Sequence, residues 1–295
     1  MSHVVTQDLM GPVAALPIAC RPERAVPTLS QALYRAPTSQ AMLVDDLRLV
    51  YLPIAKNACS SLKRLVAALG GVDLEPGEDI HIKLDTNRTG MQFADRSEKD
   101  IRKALSEPDW MRFVVIRDPF DRLVSAYIEK FVLHRTDPRI EDTVGPAYRT
   151  VFGRDELTPE DFERGISFRD FVDFILQQDP KELDSHWQPQ AEQLGHIAFT
   201  HVYEVGNLEA LAADLQVHVG QEIDLPWMNA SREDAKARVA VVGSCDLLPA
   251  DLIDPARIDL DSFLSDDLRG RIAQYFAMDV TLCRMVRHAR APFGL

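Results

Sequence analysis

The chain has 295 residues, 46% of them hydrophobic and 27% charged, and a formal net charge of −13. That much apolar material excludes a disordered chain and provides for a large core. The acidic balance excludes a general nucleic-acid binder, because phosphate contacts would work against the whole field.

An anion site on such a chain must be local, built from a few basic side chains and backbone N–H groups. The cysteines Cys20, Cys59, Cys245 and Cys283 are far apart and lack CxxC spacing. Neither a zinc site nor a disulfide framework is expected, and a reducing, cytoplasmic setting is the simplest reading. No apolar run reaches the roughly 20 residues that span a bilayer. Met1 to Pro27 lacks the charged start and apolar core of a signal peptide.

Taken in chain order, residues 1–45 carry scattered prolines and weak periodicity, and read as an irregular arm before a single domain over 46–295. Leu47 to Ile54 reads as a buried parallel strand. After a short polar loop, Leu62, Leu65, Val66 and Leu69 recur at helical spacing, and Gly70-Gly71 ends the helix. Ile80 to Leu84 alternates apolar and polar side chains, as a surface strand does. Ser97 opens a short helix.

Arg112 to Ile116 is a second buried strand. Asp118 and Pro119 then start a helix as N-cap and first residue, with Phe120, Leu123, Val124, Tyr127 and Phe131 on its core face. Residues 132–158 read as a long polar insertion, within a helical and loop-rich stretch reaching about 195. Ser167 and Asp170 form a capping box, and Phe199 to Val205 is a third strand followed by a helix from Leu208. Residues 221–262 are loop-rich, and 263–288 read as one long amphipathic helix. The order of elements predicts an α/β fold with a central parallel sheet flanked by helices. Ligands of such sheets gather at the carboxyl ends of the strands.

Two loops leave strands at that end. The first, Ala55-Lys56-Asn57-Ala58-Cys59-Ser60-Ser61, has small residues that let backbone approach an anion, and a lysine beside them. It is not a Walker A loop, since GxxxxGK[ST] is absent. A tight turn with a capping serine and a solvated lysine would look the same. In the second loop, Arg117 leaves the strand end, where a guanidinium can chelate phosphate, and Ser125 lies in the second turn of the helix that follows. Arg122 could pair with Asp118 or Asp121, a structural role.

Together the loops resemble the sulfotransferase family, and more closely its carbohydrate-modifying (type 2) branch. The first is similar to that family's Pro-Lys-x-Ala/Gly-Cys/Gly-Ser/Thr-Ser/Asn loop, departing at Ala55, where proline is usual. The second, VIRDPFDRLVSAYIEKF, is similar along its whole length. The stretches Asp184 to Gln190, Tyr203 to Glu209 and Tyr275 to Asp279 extend the resemblance over about residues 47–288.

The resemblance implies a P-loop-nucleotide-transferase-like sulfotransferase fold. It also implies a 3′-phosphoadenylyl sulfate (PAPS) donor, 3′-phosphoadenosine 5′-phosphate (PAP) as product, and no metal. Lys56 would cover charge on the leaving phosphate. Backbone N–H groups of Asn57, Ala58, Cys59, Ser60 and Ser61, with the two serine hydroxyls, would hold the 5′-phosphate. Arg117 and Ser125 would hold the 3′-phosphate. The acceptor would be a hydroxyl, of a glycan or else of a lipid or metabolite.

Transfer to a hydroxyl also needs a base. His81, in a segment similar to the branch's His-x-x-apolar motif, is the first choice, and His186 beside Trp187 is its rival. Asn229 to Arg232 is a weaker candidate to close over the nucleotide. The alternatives are a P-loop-type small-molecule kinase and a non-catalytic nucleotide binder.

Overall fold

The computed structural model describes residues 33–290, apart from 35, 76, 87, 196 and 224–237. Its sheet has four strands in the order β1 (Met42–Val44), β2 (Leu49–Leu52), β3 (Met111–Ile116) and β4 (His201–Glu204). The last three run parallel, while β1 pairs antiparallel with β2. The sheet is thus mostly parallel, and its edge strand lies in the stretch expected to be an irregular arm. Every side chain of β2 and β3 is buried, which is why both read as unbroken apolar runs.

Side chains alternate between the two faces of the sheet. Tyr51, Phe113, Val115 and Tyr203 pack on one side, where Tyr51 and Phe113 stack with ring centroids 4.8 Å apart. Helix α1 (Cys59–Leu69) covers that face with Leu62 and Val66. Val50, Leu52, Ile54 and Val114 pack on the other side, against Ile101 and Ala104 of a helix at Glu98–Ser106.

The residues expected to alternate as a strand are helical instead, in α2 (Ile80–Thr86). Asp79 accepts the His81 N–H on its carboxylate at 2.8 Å, capping the turn. Ile80 and Leu84, four residues apart, are both buried, whereas Ile82 between them is 58% exposed. The apolar pattern therefore has the helical period. The helix at Glu98–Ser106 is α3, and its Ser97 cap accepts from Asp100 N–H as expected.

Helix α4 (Pro119–Tyr127) runs directly into a π-helical turn, Ile128–Leu133. The supposed polar insertion carries a helix of its own, α5 (Glu141–Phe152), whose buried Val144, Ala147 and Tyr148 its polar neighbours masked in the sequence. Next come α6 (Pro159–Arg164) and α7 (Phe168–Leu176), the latter with the expected Ser167–Asp170 capping box.

A one-turn helix α8 (Gln190–Gln193) precedes β4, and α9 (Leu208–Val219) follows it. The expected single C-terminal helix is two, α10 (Asp266–Tyr275) and α11 (Ala277–Arg290), broken at Phe276. Tyr127, Phe131, Phe168, Phe171, Trp187 and Phe263 form a separate aromatic core under these helices. Among the described residues, no helix is long and apolar enough to cross a membrane, and no His/Cys/Asp/Glu group could hold a metal.

Candidate active site

The first loop turns from β2 into α1 through two residues in the left-handed region, Lys56 at φ 70° and Ala58 at φ 58°. Non-glycine residues adopt this conformation only where their surroundings enforce it. Helix α1 has Ala58 as its N-cap, no side-chain cap and no acidic residue in its first turn. Its first backbone bond runs from Leu62 N–H to the Ala58 carbonyl at 3.0 Å. The N–H groups of Ala58, Cys59, Ser60 and Ser61 are therefore without a helical acceptor, and they collect at the positive end of the helix.

Asn57 does something else. Its N–H donates to the Ile54 carbonyl at 3.2 Å, and its side chain is fully buried. That amide donates to the Val115 carbonyl at 2.9 Å and to Gln190 Oε1 at 2.6 Å. The expectation that Asn57 offers its N–H to a ligand is corrected: it braces the loop from behind, and the cavity wall passes it by.

The second loop is built the opposite way. Asp118 caps α4 by accepting the Phe120 N–H at 3.1 Å, Pro119 has no N–H, and Asp121 adds an acidic charge to the first turn. From this loop it is the side chains of Arg117 and Ser125 that line the cavity. Arg117 is half-buried, and burial lowers its pKa from the ordinary value. Its Nη1 donates to the Lys56 carbonyl at 3.2 Å, tying the two loops together.

Gln190 ties them again. Its Oε1 accepts from Asn57 and, at 2.9 Å, from Arg117 N–H, while its Nε2 donates to the Arg117 carbonyl at 2.8 Å. Buried Asp279 of α11 in turn accepts the Gln190 and Ala191 N–H groups, each at 2.8 Å. Arg122 is buried as well, and burial pushes its pKa down to about 10. It does not pair with Asp118 or Asp121. Its guanidinium donates to the carbonyls of Ala55 (3.0 Å), Gln188 (2.7 Å) and Ser185 (2.8 Å).

Both loops open into one cavity of about 820 Å³. Lys56, Ala58, Cys59, Ser60, Ser61, His81, Arg117 and Ser125 all line it, as does His186. Asn229 to Arg232 lies outside the described residues.

Glu129 and Lys63 on the wall, and Asp184 two residues before the wall's His186, were given no role by the sequence. Glu129 sits in the π turn and forms an ion pair with Lys56. Burial resists its ionisation, yet the Lys56 charge and hydrogen bond prevail and lower its pKa to about 2. Lys63, one turn beyond Ser60, is buried with its ammonium on His81 Nδ1 at 3.1 Å. Asp184 holds His186 Nδ1 at 2.6 Å and the His186 N–H at 2.9 Å.

His81 contacts Ser60 Oγ through Nε2 at 2.9 Å. Burial, then the Lys63 charge, lowers its pKa from the ordinary value. A lysine ammonium can only donate, so His81 Nδ1 is the acceptor and Nε2 carries the proton, donating it to Ser60 Oγ.

Residues 39–282 match the profile described as the Sulfotransferase family. Carbohydrate sulfotransferase 14 of Mus musculus is 29% identical over 174 residues, 59% of this chain and 44% of that protein. Carbohydrate sulfotransferase 11 of Rattus norvegicus is 27% identical over 210 residues, 66% of this chain and 56% of that one. Carbohydrate sulfotransferase 12 of Xenopus laevis is 26% identical over 208 residues, 59% and 46% respectively. The chain spans about half the length of these curated relatives. No solved structure matches the chain.

Proposed function

The chain belongs to the sulfotransferase family, and on that premise we propose that it transfers a sulfuryl group from PAPS to a carbohydrate hydroxyl. The observation that carries the reading is the meeting of both strand-end loops in one cavity, joined by the Arg117 bond to the Lys56 carbonyl. A donor with phosphates at its 5′ and 3′ positions needs two anion sites of fixed separation. The four N–H groups at the start of α1, with the Ser60 and Ser61 hydroxyls, suit the 5′-phosphosulfate. Arg117 and Ser125 suit the 3′-phosphate. Support for a P-loop-nucleotide-transferase-like fold comes from the parallel β2, the strained turn and the uncapped α1 that follow one another.

Sulfuryl transfer is an in-line displacement between oxygens, so positioning and charge stabilisation supply most of the rate. Lys56 covers the charge that grows on the leaving phosphate, and a cavity histidine takes the acceptor proton. The carbohydrate acceptor is supported by the names of the relatives.

Calorimetry with PAP and with 5′-AMP tests the donor reading. Wild type is expected to prefer PAP strongly, and Arg117→Ala is expected to lose that preference. Equal affinity of the wild type for both nucleotides would remove the 3′-phosphate site. A labelled-donor screen over glycans and hydroxylated lipids tests the acceptor, and transfer to lipid alone would overturn the carbohydrate assignment.

A further inference from the structure

Resting on this transfer reading, we infer that His186, oriented by Asp184, is the base that takes the acceptor proton, and that His81 is a positioning residue for the Ser60 hydroxyl. A base needs a nitrogen lone pair open to the acceptor and a partner that fixes its ring. His81 has neither nitrogen free: Nε2 holds Ser60 at 2.9 Å and Nδ1 faces the Lys63 ammonium at 3.1 Å. A proton placed on Nδ1 would set two cations against each other in a half-buried site. What His81 does instead is use the Ser60 oxygen as an acceptor. The Ser60 hydroxyl proton is thereby directed away from the ring, toward an anion in the cavity.

His186 has the complementary arrangement. Asp184 accepts from its Nδ1, which puts the lone pair on Nε2. Nε2 has no hydrogen-bond partner among the described residues, and the side chain lines the cavity. The Asp184 carboxylate, held below its ordinary pKa by the His186 bond despite the opposing effect of burial, stabilises the imidazolium that forms.

The frame around His186 is stiff. Arg122 bolts the Ser185 and Gln188 carbonyls to Ala55, one residue before Lys56. Gln193 donates to the same two carbonyls, at 3.1 and 3.0 Å. His134, the third histidine on the wall, is exposed and has no hydrogen bond orienting its ring among the described residues. Asp184 and His81 are the charged or titratable groups beside His186, Lys130 acts on Asp184, and Lys63, Asp79, Asp85 and His186 surround His81.

In the step, the acceptor oxygen bonds to sulfur as the bond from sulfur to the donor's phosphate oxygen breaks. The acceptor proton passes to His186 Nε2. The electron pair of the broken bond stays on the phosphate, beside Lys56.

The test uses the full chain. Imidazole nitrogen–proton correlation spectra at pH 8, assigned with His81→Gln and His186→Gln, are expected to show His81 protonated on Nε2 and His186 on Nδ1. Calorimetry with PAP should place His186→Gln within about twofold of wild type, and His81→Gln about threefold to tenfold weaker, the worth of one hydrogen bond. Transfer from labelled PAPS to the glycan acceptor identified in the screen should fall about 100-fold or more in His186→Gln. Asp184→Asn should lose less, because it removes the carboxylate that orients the ring and leaves Nε2 in place. A free Nε2 on His81 in the spectra, or near-wild-type transfer by His186→Gln, would overturn the assignment. Absence of PAP binding by the wild type is the separate result that would overturn the donor reading, and the base assignment with it.

Discussion

The two strand-end loops reach the same cavity by opposite means. The loop after β2 uses backbone: two left-handed residues, an uncapped helix and four N–H groups without acceptors. The loop after β3 is capped by Asp118 and carries Asp121 in the first turn of α4, and it meets the cavity with the side chains of Arg117 and Ser125. Backbone N–H groups fit closely around one tetrahedral group and stay put as charge moves. A guanidinium on a side chain grips at longer reach and selects by geometry. The contrast predicts a reactive phosphate at the first loop and a specificity phosphate at the second.

Lys56→Ala should break the comparison most visibly. Transfer from PAPS should fall about 100-fold to 1,000-fold, the size of losing one preorganised charge-stabilising donor. PAP affinity should fall less. An equal fall in both would make Lys56 a binding residue only.

Arg117→Ala should do the reverse, weakening PAP about tenfold to 100-fold, as expected for a hydrogen bond to a charged group, and leaving 5′-AMP affinity close to wild type. Calorimetry with both nucleotides separates the two cases, and parallel losses would mean that Arg117 acts through its bond to Lys56.

Ala58→Val sharpens the backbone side of the comparison. A β-branched residue at φ 58° is strained by about 1–3 kcal/mol, which should appear as lower stability in urea and weaker PAP binding. Ala58→Gly should keep both near wild type. Unchanged stability in Ala58→Val would show that the turn is free to relax.

The smallest effect expected is in Glu129→Gln, which frees Lys56 from its ion pair and should tighten PAP about threefold to tenfold. Glu129 has a depressed pKa of about 2, so the pair is intact above the ordinary carboxylate range and is lost as pH falls toward 2. The gain should therefore be the same from pH 5 to 8. A gain that appears only at high pH would point to another group.

Much of this was legible in the sequence, and the reasons are local. Buried parallel strands are apolar throughout, so β2 and β3 announced themselves. Caps are set by residues two or three apart, so Ser97, Asp118 and Ser167 marked their helices. The αα break at Phe276 and the buried face of α5 were hidden, because periodicity alone does not say where a helix bends or what covers it. Ile80 to Leu84 misled because apolar residues at i, i+2 and i+4 satisfy a strand pattern and, through i and i+4 alone, a helical one.

Sequence alone marked the two candidate loops, since each needs only a strand end, small or basic residues and a helix start, all contiguous in the chain. Only the tertiary structure decided how they are joined. The bonds that do it cross between distant segments: Gln190 to Asn57 and Arg117, Arg122 to Ala55 and Ser185, Glu129 to Lys56. The same holds for the division of labour between His81 and His186. A histidine's role follows from what each ring nitrogen touches, and those partners, Lys63 and Ser60 for one and Asp184 for the other, take their positions only when the chain folds.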